Sequence, residues 1–331
     1  MNRIIYLDIA KAICIILVVI GHYMPDNSPA WYVMFNRLIY TFHMPLFMFV
    51  SGYVYIATKK EMSYGDFLIK KVKRLLIPYF TTSVIVIVIK LLTQDFMFVE
   101  NPVSLLAFLE ILYLPVAGYF LWFIWALWWM FVILPLFKNK TSRNILFLIS
   151  ILLHFMPLEV TELFCLEQFS RMLVYFMFGI FVSENRWLYH FVVNFKWSKF
   201  VCATFLFISM EAIYLLNLGR SADVLLKNIL PFIGIWFIIE ASKCISMKWN
   251  RLNKNNWLIL VSASSYIIYL FHTTFEGIAK SVLHKLPFNE GLWYVFAFEA
   301  IVIISVGVII PMILHRWVLK KYKVTRILFG L

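Results

Sequence analysis

Charge is scarce in this 331-residue chain. Asp, Glu, Lys and Arg make up 14% of it, against 63% hydrophobic residues, and only 17 residues are acidic. A soluble domain carries about 25% charge. With a mean hydropathy of +0.85, nearly the whole chain reads as intramembrane. No stretch is polar enough or long enough for a separate soluble domain, so residues 1–331 form one membrane domain. The four cysteines (Cys14, Cys165, Cys202, Cys244) show no paired spacing, and three fall in or beside apolar runs. That argues against a disulfide framework and against a zinc site, and no metal is expected. There is no repeat period and no low-complexity tract. The first residues lack a small-residue cleavage site and run directly into an apolar segment, so they are not read as a cleavable signal peptide.

Aromatic residues and basic loops are what the chain does have. Phe (33), Tyr (17) and Trp (12) are abundant, as where rings line both membrane interfaces. The apolar runs predict an all-α polytopic protein of about ten spans, roughly 5–24, 38–57, 75–92, 119–137, 144–158, 171–184, 198–217, 225–240, 257–276 and 292–315. Each is near the length that crosses about 30 Å of hydrocarbon, with the fifth, sixth and eighth short. The apolar stretch 103–115, bracketed by Pro102 and Pro115, predicts an interfacial or re-entrant helix. The net charge of +13 invites a nucleic-acid reading, but the basic residues sit in short loops between apolar runs. With the N-terminus inside, 23 of the 30 Lys and Arg fall on the inner side. The positive-inside rule therefore predicts that both termini are cytoplasmic. The outer loops are acidic by contrast, with Asp95, Glu100, Glu159, Glu162 and Glu167.

The first span organises the rest. It reads LDIAKAICIILVVIGH, with ten apolar or small residues between Lys11 and His22. Eleven residues of α-helix advance about 16 Å and turn about 1100°. Lys11 and His22 thus share one face near opposite ends of the hydrocarbon, and that face is expected to line a path. Polar residues inside a membrane are costly and are functional candidates by default. His22, His43 and His272 come to similar depth toward the outer side. His43 lies in TFHMPLFMFVSGY, where Pro45 and Gly52 are expected to loosen the helix. An interfacial histidine can also simply cap a carbonyl or meet headgroups; His22 stands apart because its face carries Lys11 as well. Lys70, Lys71, Lys73 and Arg74 form an inner basic cluster that suits either topology or a phosphate clamp. Lys11 can equally snorkel or pair with Asp8. Glu211 and Glu299 should face the bundle interior, as candidates to carry protons or orient a histidine, with Glu240 a further intramembrane acid. Arg171 opens the sixth span from outside. LWFIWALWWMF (121–131) reads as interface belt and core, with Trp122 a candidate for stacking on a sugar.

Taken together, LDIAK…VVIGH, FHMPLFMFVSGY, the basic loop into RLLIPY, LWFIWAL and SSYIIYLFH resemble the membrane acyltransferase-3 family. The branch they most resemble is the fucose 4-O-acetylase-like, polysaccharide O-acetylating proteins. The resemblance covers residue 4 to about 275 and is strongest over 4–80. It implies ten core spans, and the frequent Ile, Lys, Phe and Asn fit a bacterial chain, expected in the plasma (inner) membrane. It also implies transfer of an acyl group, usually acetyl from cytoplasmic acetyl-CoA, to a hydroxyl of a surface or lipid-linked carbohydrate. The family's leading signature is an arginine, ten residues, then an essential histidine. His22 matches the histidine, and Lys11 stands where the arginine usually is. That keeps the charge but loses the planar fork.

On this reading His22 is the catalytic base or a transient acetyl carrier. Lys11, Lys71 and Arg74 hold the CoA phosphates, and His43, Arg171 and His272 shape the acceptor side. Acetyl-CoA is a substrate, and no permanently bound cofactor is implied. A glycan exporter without acyl transfer is the alternative, and it lacks the half-to-half similarity that many transporters show. A third reading, a sensor or scaffold without turnover, draws on the lysine at position 11.

Overall fold

The computed structural model describes residues 4–96, 99, 101–156, 162–216, 219–248, 256–285 and 292–331. Of the charged residues named above, Glu100 and Glu159 lie outside them. The described residues are helical and contain no strand. In chain order the helices are α1 (Ile5–His22), α2 (Ala30–Ala57), α3 (Tyr64–Lys71), α4 (Ile77–Thr93), α5 (Ala107–Glu110), α6 (Trp122–Ile133) and α7 (Lys140–Phe155). Then come α8 (Leu166–Glu184), α9 (Arg186–Val193), α10 (Trp197–Leu215), α11 (Arg220–Lys248), α12 (Trp257–Leu283), α13 (Trp293–Leu314) and α14 (Lys323–Leu328). A π-helical turn, Val72–Leu76, joins α3 to α4, and a second, His315–Leu319, extends α13.

Helix starts follow local chemistry. Ser63 Oγ accepts from the Asp66 amide at 3.1 Å and donates to its carboxylate at 2.7 Å, which satisfies an amide the first turn leaves unpaired. Asn139, Asn185 and Asn256 cap α7, α9 and α12 in the same way. Pro78 sits in the first turn of α4, where its missing N–H costs nothing.

Among the described residues nine helical stretches are long and apolar enough to cross a membrane. The described part of the remaining expected span, 144–156, falls on α7, which ends at Phe155. The 16 residues of α7 reach about 24 Å, against 18 or more residues in each of the nine. α7 nevertheless lies along α8: Arg143 at its start pairs with Glu184 (Nη2–Oε1 2.5 Å, Nε–Oε2 3.0 Å), and His154 near its end bonds the Arg171 carbonyl at 2.9 Å. The stretch 103–115 differs from expectation. It forms turns around the single-turn α5, pinned by Tyr79 Oη donating to the Ile111 and Leu114 carbonyls (2.9 and 3.0 Å).

Gly52 does not loosen α2, as the sequence suggested. A Cβ at Gly52 would lie 2.0 Å from the Phe176 carbonyl oxygen on α8, and one at Gly179 would lie 2.1 Å from the Phe49 oxygen on α2. The two glycines face each other across one contact and let the backbones touch, the small-residue packing that membrane helices use. Phe42 fills a similar notch at Gly234 of α11, 2.4 Å from where a Cβ would stand. With α1 and α12, these helices bury one continuous apolar core that includes Ile15, Leu46, Phe176 and Ile268.

Candidate active site

Two histidines, His22 of α1 and His272 of α12, meet where these helices converge, and His43 of α2 lies near them. His22 ends α1 and stays exposed. Its ring centre is 5.0 Å from that of His272 and 5.8 Å from Phe120, which itself packs 5.1 Å from His272. His43 is buried, stands 4.8 Å ring to ring from Tyr40, and lies close enough to feel the charge of His22. The structure therefore brings together the histidines that the sequence placed at one depth.

Their orientations are set by backbone. His43 Nδ1–H donates to the Ile39 carbonyl at 2.8 Å, one turn back. His272 Nδ1–H donates to the Ile268 and Tyr269 carbonyls at 3.1 and 2.8 Å. A ring nitrogen that donates to a carbonyl carries the hydrogen, so each Nε2 presents a lone pair.

The C-terminal turn of α1 is held from the side by one stripe of α2. Tyr32 Oη donates to the Ile20 carbonyl (3.0 Å), and Asn36 Nδ2 (2.9 Å) and Tyr40 Oη (3.3 Å) both donate to the Gly21 carbonyl. These residues are spaced four apart and so share a helix face. They satisfy carbonyls that a helix end leaves open, and they fix the backbone from which His22 projects. The sequence reading passed over this stripe, although its i, i+4, i+8 spacing was there to be read.

It also passed over Glu276, one turn beyond His272. That carboxyl is buried within a membrane helix, and its Oε1 has no hydrogen-bond partner. It packs against Gly307 of α13, where a Cβ would stand 2.9 Å from Glu276 Cγ and 3.0 Å from Val19 on α1. Tyr32 and Tyr40 lie within electrostatic reach of it. A glutamate four residues after a membrane-embedded histidine was the available signal.

At the Lys11 end the links run through α12 again. Lys11 Nζ lies 3.9 Å from Asp8 Oδ1, and Ser262 Oγ donates to that same oxygen at 3.0 Å. One turn on, Tyr266 Oη makes a long contact (3.5 Å) with the Leu75 carbonyl in the π-turn that carries Lys73 and Arg74. Arg74 is exposed, whereas Lys71 Nζ is turned onto the Phe131 ring, 3.2 Å from its centre. The α1 face between Lys11 and His22 is not an open path: Ile15 and Val18 are 0% and 1% exposed.

Other candidates lie elsewhere. Arg171 pairs with Glu167 at 2.7 Å and is largely exposed; its described contacts are with α7 and its own helix, not with the histidines. Glu211 is buried and accepts from Thr41 Oγ1 at 2.6 Å, tying α10 to α2. Glu240 forms a buried pair with Lys243 at 2.7 Å, and Glu299 is buried on α13. Trp122 packs on Phe123. Among the described residues no group of three or more His, Cys, Asp or Glu side chains could hold a metal ion.

Comparison with known proteins places the chain in a family. A family model described as an acyltransferase domain, of the acyltransferase-3 type, matches residues 4–316. The chain belongs to the acyltransferase-3 family. Among curated proteins it is 34% identical over 167 residues to nodulation protein NolL of Sinorhizobium fredii, covering 48% of this chain and 44% of that one. It is 28% identical over 225 residues to nodulation protein NolL of Mesorhizobium japonicum, covering 61% and 56%. The chain thus spans about half the length of the curated relatives it matches. No solved structure matches it.

Proposed function

We propose that this protein is a membrane O-acyltransferase that moves an acetyl group from acetyl-CoA to a hydroxyl of a surface or lipid-linked carbohydrate. The observation that carries the reading is the setting of His22: an exposed imidazole on a braced helix end, packed against the buried His272, within a chain matched by the family over nearly its whole length.

The chemistry needs a base and a thioester. In the proposed reaction His22 takes the proton of the acceptor hydroxyl, and the oxygen attacks the thioester carbonyl. The tetrahedral intermediate collapses with loss of the CoA thiolate, which recovers a proton from the His22 imidazolium. Histidine suits both transfers because its ordinary pKa lies near neutrality. Lys11 and Arg74, joined to one face of α12 through Asp8–Ser262 and Leu75–Tyr266, are the proposed contacts for the CoA phosphates. Lys71 can join them by leaving the Phe131 ring. His43 and His272 are retained as proposed acceptor-side residues, and Arg171, which lies apart from the histidines, as a proposed outlying contact for the acceptor.

We place the protein in a bacterial plasma membrane with both termini cytoplasmic. This orientation requires α7 to count as a crossing, since nine crossings would put the termini on opposite sides. A reporter fused at either end and read for cytoplasmic or external activity tests the topology.

Function is tested with purified wild type and His22→Ala, given radiolabelled acetyl-CoA and the host's surface polysaccharide. Label on the polysaccharide that depends on His22 supports the reading. Label that moves equally well without His22 removes the catalytic assignment. Absence of both binding and transfer by the wild type removes acetyl-CoA as donor, and succinyl-CoA and glycan export are then measured.

A further inference from the structure

His272 stands in an unusual position for a residue that only shapes an acceptor pocket. Its side chain is 0% exposed. Its Nδ1–H is committed to the carbonyls of Ile268 and Tyr269, and its Nε2 is buried with no hydrogen-bond partner. A buried acceptor left unpaired costs about 1–3 kcal/mol. Its ring neighbours are Phe120, Tyr269 and His22. The Tyr269 hydroxyl is already spent on the Phe120 carbonyl, so His22 is the neighbour with an N–H to offer.

The distance fits. A linear N–H···N bond of about 3 Å, with roughly 1 Å from each nitrogen to its ring centre, sets two imidazoles about 5 Å apart. The His22 and His272 centres are 5.0 Å apart, with planes at 58°. At this separation a hydrogen bond from a His22 N–H to His272 Nε2 needs only a change in the orientation of the rings.

We infer that His22 and His272 work as a dyad, in which His272 Nε2 accepts a hydrogen bond from one His22 nitrogen and thereby leaves the other nitrogen unprotonated and facing the acceptor. His272 is then a positioning residue that acts through His22. During transfer the acceptor hydroxyl's proton goes to the outward nitrogen. The inward N–H stays on His22 and its bond to His272 strengthens as the imidazolium forms. No proton passes to His272. The backbone fixes the polarity of this arrangement, because with Nδ1–H locked onto carbonyls His272 can only accept.

This inference rests on the proposed acyl transfer for its kinetic test, so a second readout is independent of it. His272→Phe keeps a ring against Phe120 and removes the acceptor, whereas His272→Gln restores an acceptor oxygen near the Nε2 position. With acetyl-CoA and polysaccharide, His272→Phe is expected to lower kcat about 100-fold and leave both KM values within about threefold, with His272→Gln recovering to within about tenfold of wild type. In parallel, diethyl pyrocarbonate, which acylates an unprotonated imidazole nitrogen, is applied to each variant and His22 modification is followed by mass spectrometry. His22 in His272→Phe is expected to react several-fold more slowly, and His272→Gln to restore the rate. A change in KM with kcat intact shows direct substrate contact and overturns the dyad. So does unchanged His22 reactivity in His272→Phe while the protein keeps its wild-type thermal midpoint. Altered reactivity without any acetyl transfer by the wild type upholds the dyad and removes acetyl-CoA as donor.

Discussion

Replacing Gly52 with alanine is expected to be among the most damaging single-methyl changes in the protein. The new Cβ would stand 2.0 Å from the Phe176 oxygen and 2.9 Å from its carbonyl carbon. Ordinary contact at a Cβ begins at 3.4 Å, so α2 and α8 must separate locally by more than about 1 Å. Both partners are backbone, so no side chain can swing away. Overpacking of a well-filled core costs roughly 1–3 kcal/mol even where side chains can adjust, and a cost at or above the top of that range is expected. Gly179→Ala meets the same interface from the other side, at 2.1 Å from the Phe49 oxygen and 2.8 Å from the Tyr53 nitrogen. The double variant should cost less than the sum of the two, because one separation of the helices accommodates both methyls. Gly277→Ala on α12 is the control: nothing lies within 4 Å of its Cβ, and helix propensity alone favours alanine by about 1 kcal/mol. Thermal unfolding in one detergent should rank Gly277→Ala at or above wild type, with Gly52→Ala and Gly179→Ala well below. A Gly52→Ala protein as stable as wild type would refute the claimed backbone contact.

Three further outcomes follow from particular contacts. Gly307→Ala should push Glu276 and Val19 apart, since its Cβ falls 2.9–3.0 Å from both; activity should drop, and pairing it with Glu276→Ala should recover part of the lost stability. Asn36→Leu leaves the Gly21 carbonyl with only the longer Tyr40 bond and should lower kcat about tenfold by loosening the base of His22, at a stability cost of about 1–3 kcal/mol. Arg143→Ala strands the Glu184 carboxylate and frees the Phe137 and Lys138 carbonyls; unfolding should show a loss of about 3 kcal/mol, with α7 becoming more open to hydrogen exchange.

The spans were legible because apolar length alone marks a membrane helix, and α7 fell short where that signal ran thin. The histidines were legible because an imidazole in hydrocarbon needs a reason. Other features depend on contacts between helices, which a linear pattern does not carry. Gly52 looked like a weak point in α2 and is a point of closest approach, because its meaning lies in Gly179, far along the chain. Glu276 drew no attention beside Glu211, Glu240 and Glu299, since all four are lone acids in apolar runs. Only the structure separates Glu211, bonded to Thr41, and Glu240, paired with Lys243, from Glu276, unpaired at Oε1 beside the last turn of α1. Lys71 looked available in a basic cluster and is turned onto an aromatic ring.

The first span suggested a path along its own face, and the packing of Ile15 and Val18 closes it. The continuous polar face belongs instead to α12. Ser262 meets Asp8, Tyr266 meets the π-turn carbonyl, Tyr269 meets the Phe120 carbonyl, and His272 and Glu276 follow. Spacings of four, three, three and four keep these residues on one side of the helix, over about 21 Å of rise. A buried polar group at every turn is costly in hydrocarbon, and this one runs from the partner of Lys11 to the neighbour of His22. Tyr269 ties this face to the histidines, since Phe120, whose carbonyl it holds, packs on both His22 and His272. Tyr269→Phe keeps the ring contacts and removes only the hydroxyl, leaving the Phe120 carbonyl to find another donor. The expected result is a kcat about tenfold lower with acetyl-CoA affinity unchanged, because the bond lies at the His22 end and the proposed phosphate contacts lie at the other. Weakened acetyl-CoA binding with kcat intact would place the donor's acyl end against Tyr269 and move the reacting centre one turn toward Lys11.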